Sequence, residues 1–290
     1  MPPLTITPLT PCFGARIDGV DVTALDDATF RTIREAFEEY SVLVLPGQTV
    51  DDEQQIAFSR RFGPLETTIS TNPAAGTYIA RQSNIDIKTG ELIQPDDRRI
   101  VYQLANQLWH SDSSYKAVPS LCSLLSGRIV PPEGGATEFA TTRAAYDALS
   151  EEQKQHLEGL SAEHNFGWSR EQVRPGFLTP EELAEVPPVR YPVVRANPVN
   201  GRKALFIGSH ASHIVGWPVE DGRVLLKELV THATQPEFCY RHQWEAGDLV
   251  IWDNRATLHR ATPYDSARYP RLMQRTTVAG DPRELAYTGP

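Results

Sequence analysis

Two residue types that bind metals occur two positions apart in Trp109-His110-Ser111-Asp112. On an extended segment, residues i and i+2 point to the same face, which sets the His110 imidazole beside the Asp112 carboxylate. One more histidine would complete a two-histidine, one-carboxylate triad, which leaves adjacent positions open on an Fe(II) ion. His259, in Trp252-Asp253-Asn254-Arg255-Ala256-Thr257-Leu258-His259-Arg260, is the candidate third ligand. Further on, Arg271 and Arg275 fall on one face of an extended run. Four strand residues span roughly 13 Å, so the two guanidinium groups could hold an anion at each end of a small pocket. By itself a His-x-Asp word is common, and the bland alternative is a surface turn with Asp112 as a cap.

Elements that could position these residues are readable in order. Residues 4–22 read as extended, with turns at Gly14 and Gly19. Helical spacing follows from Asp26 to Tyr40, then a buried strand over Ser41–Leu45 that ends at Pro46-Gly47. Asp51-Asp52-Glu53 opens a second helix with acid in its first turn, and Gly63-Pro64 stops it. Residues 64–105 show no clear period and lead into the His110 motif, which suggests a loop covering a site. Leu121–Val130 is strand-like. Capping-box words at Ser150-Glu151-Glu152-Gln153 and Thr179-Pro180-Glu181-Glu182 start two helices, the first reaching Leu160, and an irregular insert at 165–178 lies between. Ala204–Ile207 reads as a strand. Val219–Thr234 reads as a helix with Val224, Leu225, Leu229, Val230 and Ala233 as its buried stripe. Leu249–Trp252 and Arg271–Ala279 are further strands. The expected fold is β-rich α+β: a double-stranded β-helix, or jelly-roll barrel, with helical decoration and inserts, and residues 1–290 as a single domain.

Composition narrows the function. The 290 residues are 40% hydrophobic and 22% charged, with no apolar run long enough to span a bilayer and no secretory signal. Cys12, Cys122 and Cys239 form neither a CxxC word nor a disulfide framework, which suits the cytoplasm. A net charge of −9 argues against a nucleic-acid partner but allows local arginines to catch a small anionic organic substrate. Self-association into a homo-oligomer is left open.

At this point the chain resembles a known family, the taurine dioxygenase and 2,4-dichlorophenoxyacetate dioxygenase group of Fe(II)/2-oxoglutarate-dependent oxygenases. The likeness runs through Asp52–Phe58, Phe62–Glu66, Asn106–Ser114, Pro132–Phe139, Arg143–Leu149, Gly247–Arg255 and His259. The phenoxyacetate branch is the nearer, notably in Asn106–Ser114 and Gly208–His213. The resemblance implies that His110, Asp112 and His259 hold Fe(II), and that Thr137 and Arg271 bind the distal carboxylate of the cosubstrate 2-oxoglutarate. Arg275 would grip the acidic head of the prime substrate, Asn106 would line its pocket, and Ser70 and His213 are further substrate-lining candidates. Of His210 and His213, one is expected in the pocket and the other in a structural role. Thr67–Thr71, where the phenoxyacetate branch uses basic residues, carries no lysine here. With the carboxylate ligand present, oxygen insertion with O2 as second cosubstrate is expected rather than halogenation. An aryloxyalkanoate would then be cleaved to a phenol and an oxoacid such as glyoxylate. Other readings are the same chemistry on a sulfonate or sulfate ester such as taurine, a zinc hydrolase, and a non-catalytic jelly-roll binding protein. The paired arginines favour the oxygenase, because a hydrolase needs no ketoacid clamp.

Overall fold

A computed structural model describes residues 3–69, 74–86 and 88–285. The chain begins with a hairpin of β1 (Thr5–Pro8) and β2 (Ala15–Asp18), then α1 (Asp27–Tyr40), β3 (Val42–Leu45) and α2 (Asp52–Arg60). Asp26 caps α1 by accepting the Thr29 N–H at 2.7 Å, and Ser41 closes it in the left-handed region. A reciprocal capping box between Asp51 and Gln54 starts α2. There follow β4 (Ala80–Ser83), α3 (Arg98–Leu104), a single 3-10 turn over Ala105–Gln107, β5 (Ser120–Ile129) and β6 (Thr137–Thr141). The middle of the chain carries α4 (Thr142–Asp147), α5 (Glu151–Leu157), β7 (Ser161–His164), α6 (Phe166–Glu171), α7 (Pro180–Glu185) and β8 (Val189–Pro192). The remainder holds β9 (Val194–Ala196), β10 (Lys203–Leu205), β11 (Ala211–Ile214), α8 (Val219–Ala233), β12 (Cys239–His242), β13 (Leu249–Asp253), β14 (Thr257–Ala261) and β15 (Leu272–Ala279).

Two sheets carry the site. The larger has seven strands in the order β1-β2-β3-β13-β5-β15-β4, and the smaller has three in the order β12-β6-β14. Alternation along each strand divides the apolar residues between two faces. On β13, Val250 and Trp252 turn inward to join Val42, Val44, Leu125 and Met273 of the large sheet and Phe139 at the small one. Leu249 and Ile251 turn outward, under α1 and α2, to meet Ile33, Phe37, Phe58 and Leu124. The outer side of the small sheet, at Ala140 and Leu258, is covered by α4, α8 and the β7–β11 region.

The helix α2 also fixes β15 by polar contacts. The buried Gln55 amide donates to the Gln274 carbonyl at 2.9 Å, and the Ser59 and Thr276 hydroxyls lie 2.6 Å apart. Fully buried polar groups hold position only when paired. Here they leave Arg271, Met273 and Arg275 on the opposite face.

The large and small sheets face each other across the inner core, and among the described residues no ladder joins them. Three expectations need correction. The 64–105 segment contains α3, started by Asp97, whose carboxylate accepts the Arg99 N–H at 2.8 Å. The 165–178 insert contains α6, capped by Asn165, which accepts the Trp168 N–H at 3.0 Å. In α8, Leu226, Leu229 and Ala233 form the buried stripe, while Val224 is 56% exposed. Gly222 lies in that stripe because Ile214 crosses there, and a Cβ at Gly222 would come within 2.5 Å of the Ile214 nitrogen. This contact sets the phase of the helix.

Candidate metal centre

His259 belongs to β14, and His110 lies beside it in an isolated antiparallel bridge. Their main chains exchange both hydrogen bonds, His110 N to His259 O at 3.1 Å and His259 N to His110 O at 2.8 Å. The rings consequently sit with centroids 4.1 Å apart. Asp112 follows two residues after His110, and its carboxylate oxygens lie 3.9 Å from His110 Nε2 and 3.6 Å from His259 Nε2. One ligand atom from each of the three residues falls within 4.8 Å of the others, and all three residues are buried. The alignment expected from sequence is therefore present in space.

Neighbouring groups set the chemistry of each donor. His110 Nδ1 is 2.7 Å from the Leu108 carbonyl, which only accepts, so that nitrogen carries the proton and Nε2 offers a lone pair. Burial pushes the pKa of His110 and of His259 down, which keeps both imidazoles neutral. Burial alone would raise the Asp112 pKa. Arg275, the two histidines and the Ser123 hydroxyl overcome it and hold the carboxyl well below the usual carboxylate range. Ser123 donates to Asp112 Oδ2 at 2.7 Å. Asn254 accepts the Asp112 N–H at 3.1 Å and donates to Ser123 at 3.0 Å, and the Trp252 indole donates to Asn254 at 3.0 Å. Two neutral imidazoles and one ionised carboxylate, each oriented by an outer partner, form a donor set suited to a divalent metal.

The two arginines diverge, as their spacing predicts. Arg271 is 6% exposed. Among the described residues its Nη2 reaches only the Gly135 carbonyl, at 3.4 Å, and its Nε is buried with no partner. Burial lowers its pKa to about 10. A buried guanidinium without a carboxylate fits a site made for one. Gly134 and Gly135 both have positive φ. A Cβ at Gly135 would lie 3.4 Å from Arg271 Nε and 3.0 Å from Pro131 Cγ, so this turn keeps the arginine's surroundings open. Thr137 is buried on β6, and its hydroxyl oxygen accepts the Trp244 indole N–H at 3.0 Å. Because an indole only donates, the Thr137 proton remains for an acceptor.

Arg275 donates through Nη1 to Asp112 Oδ1. Its Nε is buried without a partner, so the Nε/Nη2 edge is available to an anion. Arg275 lines a cavity together with Asn106, His110, Asp112, Tyr115, Arg170 and His210. Asn106, in the 3-10 turn, thus stands where it was expected. His213 does not: it is half-buried on β11, 2.9 Å from the Ser212 hydroxyl, and His210 lines the cavity instead. The strand β10 ends at Leu205, and Gly208, with φ +124, turns the chain before β11, which changes the facing of the residues after it. Ser70 lies outside the described residues, while Thr67, Thr68 and Ile69 line a neighbouring cleft that shares Tyr102, Tyr115 and Arg275 with the cavity. Ser123, Tyr115, Arg170 and Trp244 were missed from sequence. Ser123 carried a signal, as a polar residue inside an apolar strand. The other three carried none.

The sequence model of the taurine catabolism dioxygenase TauD, TfdA family matches residues 5–277. The chain is 46% identical over 277 residues to an alpha-ketoglutarate-dependent 2,4-dichlorophenoxyacetate dioxygenase of Cupriavidus pinatubonensis, covering 93% of this chain and 96% of that protein. It is 38% identical over 287 residues to an (S)-phenoxypropionate/alpha-ketoglutarate-dioxygenase of Sphingobium herbicidovorans, covering 97% of this chain and 96% of the relative. Among solved structures, AAD-2 in complex with Mn(II) and N-oxalylglycine superposes with a TM-score of 0.88 at 42% identity, covering 96% of this chain and 97% of AAD-2.

Proposed function

The chain belongs to the taurine catabolism dioxygenase TauD, TfdA family and is a 2-oxoglutarate-dependent dioxygenase, and from that premise we propose that its prime substrate is an aryloxyalkanoate. The substrate class is supported by the 2,4-dichlorophenoxyacetate and phenoxypropionate dioxygenases to which the chain is similar. We read the facing sheets as an open double-stranded β-helix. The whole chain works as one catalytic domain, because β1 and β15 share a sheet. Three free cysteines suit the cytoplasm.

His110 Nε2, His259 Nε2 and an Asp112 oxygen would hold Fe(II). With 2-oxoglutarate and O2 bound, that centre supplies oxidative decarboxylation to succinate and CO2 and hydroxylation of a substrate carbon. Arg271 and the Thr137 hydroxyl receive the distal carboxylate of 2-oxoglutarate. Arg275 receives the substrate carboxylate on its free edge while Nη1 stays on Asp112, which aligns substrate and metal ligand through one planar group. Tyr115 and His210, with ring centroids 4.6 Å apart, form an aromatic wall for the aryl ring. Hydroxylation of the carbon between ether oxygen and carboxylate gives a hemiacetal. Its hydroxyl proton passes to the ether oxygen as the C–O bond breaks, and a phenol and an oxoacid leave.

The observation that carries this reading is the pair of arginines four residues apart, Arg271 just before β15, buried and without a carboxylate among the described residues, and Arg275 on β15, touching a metal ligand. A zinc hydrolase has no use for the first. Succinate formation should be tested across aryloxyacetates, aryloxypropionates, alkyl sulfonates and sulfate esters. Turnover confined to the sulfur acids would reject the aryloxy assignment and leave the dioxygenase chemistry in place.

A further inference from the structure

Arg170, on α6, lines the cavity of the metal ligands but has no part in the reaction just described. It is 8% exposed. Its guanidinium stacks on Tyr102 at 4.8 Å and on Phe166 at 4.5 Å. Nη1 makes one long contact, 3.5 Å to the Ser169 hydroxyl, and Nε is buried with no partner. Among the described residues no carboxylate pairs with it. Aromatic stacking offsets part of the cost of burying a cation, but a buried arginine is ordinarily answered by an anion.

The charge around the cavity is one-sided. Arg81, from β4, also lines it and has an unpartnered Nε. Among the described residues Asp112 is the one carboxylate lining the cavity, and Arg275 already pairs with it. Fe(II), when bound, would be answered by Asp112 and the ketoacid end of 2-oxoglutarate, and Arg271 by its distal end. A substrate with one carboxylate would answer Arg275 and leave Arg170 buried without a counter-charge.

We propose that Arg170 is the ligand of a second anionic group on the prime substrate. The substrate class is then dianionic: an aryloxyalkanoate whose ring bears a further carboxylate or comparable anion. Its alkanoate end lies on Arg275, its ring against Tyr115 and His210, and its ring anion on Arg170. The aryl part of this assignment rests on the reading in the preceding subsection, and the test separates the two.

Enzyme loaded with Mn(II) and 2-oxoglutarate, without O2, is titrated calorimetrically with phenoxyacetate and with 4-carboxyphenoxyacetate, and then with hexanoate and adipate. The dianion of a pair should bind about tenfold tighter or more, the scale of one charge-assisted contact. In Arg170→Gln that ratio should fall to about one, and Arg170→Lys should retain part of it. Should Arg170→Gln not fold, the wild-type ratio and the lysine variant decide. Equal or weaker binding of both dianions by the wild type overturns the proposal, as does an unchanged ratio in Arg170→Gln. Preference for adipate over hexanoate with no binding of either aryloxy compound would uphold the anion subsite and reject the aryloxy substrate.

Discussion

Replacing Arg271 by methionine should separate stability from function. Arg271 is 6% exposed, and among the described residues its guanidinium has, besides the Gly135 carbonyl at 3.4 Å, only the face of Tyr264, at 5.7 Å. Burial lowers its pKa from 12.5 to about 10. At roughly 1.4 kcal/mol per pH unit, keeping it charged near neutrality costs the ligand-free protein ~3 kcal/mol. Methionine is unbranched and apolar and adapts to irregular space. Arg271→Met should therefore be the more stable protein when 2-oxoglutarate is absent. At roughly 2–4 °C per kcal/mol for a chain of this size, and with some loss from imperfect repacking, Tm should rise by about 3–8 °C. The response to ligand should run the other way. At 100 times its Kd, 2-oxoglutarate should add about 2.7 kcal/mol to Mn(II)-loaded wild type. The variant loses a charge-assisted bidentate contact of about 2–4 kcal/mol, which weakens binding roughly 30- to 1000-fold and cuts the shift at that concentration to about 0.9 kcal/mol or less. Differential scanning calorimetry with and without 2-oxoglutarate, in the absence of O2, reads both effects. A variant less stable than wild type without ligand refutes the unanswered charge, and one that keeps the full ligand shift refutes the clamp.

His110→Ala, Asp112→Ala and His259→Ala should each lose tight Mn(II) or Fe(II) binding in a calorimetric titration, and with it turnover. Normal substrate-dependent succinate formation by any of them would remove that residue from the ligand set. Arg275→Ala should raise KM for the prime substrate roughly 30- to 1000-fold while slow decarboxylation of 2-oxoglutarate continues without substrate, and lysine should rescue it only in part. A rise confined to the KM for 2-oxoglutarate would instead give Arg275 to the cosubstrate. His164, buried against Phe206 at 5.0 Å, has its pKa pushed down to about 3 by burial and by Arg195. The unfolded chain takes up this proton below about pH 6.5 and the native protein does not, so stability falls as pH drops from there toward 3, by up to about 1.4 kcal/mol per pH unit. His164→Leu should flatten Tm between about pH 6 and 4; a slope equal to that of wild type would show that other groups carry the acid sensitivity.

Local period and capping chemistry made α1, α2, β3, β13 and β15 legible in the sequence, because each buries one regular face and ends at a recognisable turn. Short helices without a capping box were not, whereas α5 and α7, equally short, were marked by theirs. The helix α3 is seven residues long with Ile100 and Val101 as its buried members, and α6 is six, so tertiary contacts rather than periodicity hold them. The buried phase of α8 depended on where Ile214 crosses Gly222, which no local pattern records. The neighbourhood of His110 and Asp112 was readable from their i, i+2 spacing, while the roles expected of His259 and Arg271 came from the resemblance to the dioxygenase family. The His210–His213 choice turned on the backbone turn at Gly208. The contact of Arg275 with Asp112 follows from the pairing of β15 with β5, where Arg275 stands opposite Leu125 and Thr277 opposite Ser123. That pairing brings Arg275 and the Ser123 hydroxyl to the same carboxylate.

The reciprocal main-chain bonds between His110 and His259 make the metal socket part of the backbone. Gly208 presses against the same place, since a Cβ there would lie 3.1 Å from the Trp109 carbonyl and 3.2 Å from His110 Cα. The walls of the socket consist of peptide groups, and only its lining consists of ligands. Stripping the ion with a chelator should leave those walls standing, so emptying and refilling are exchange at a preformed seat rather than refolding. Cobalt or copper can then be set in the same seat as a spectroscopic reporter. Damage of another kind is not reversible in this way: a bulkier residue at position 208 would displace the His110 backbone, and no supply of iron would restore its place.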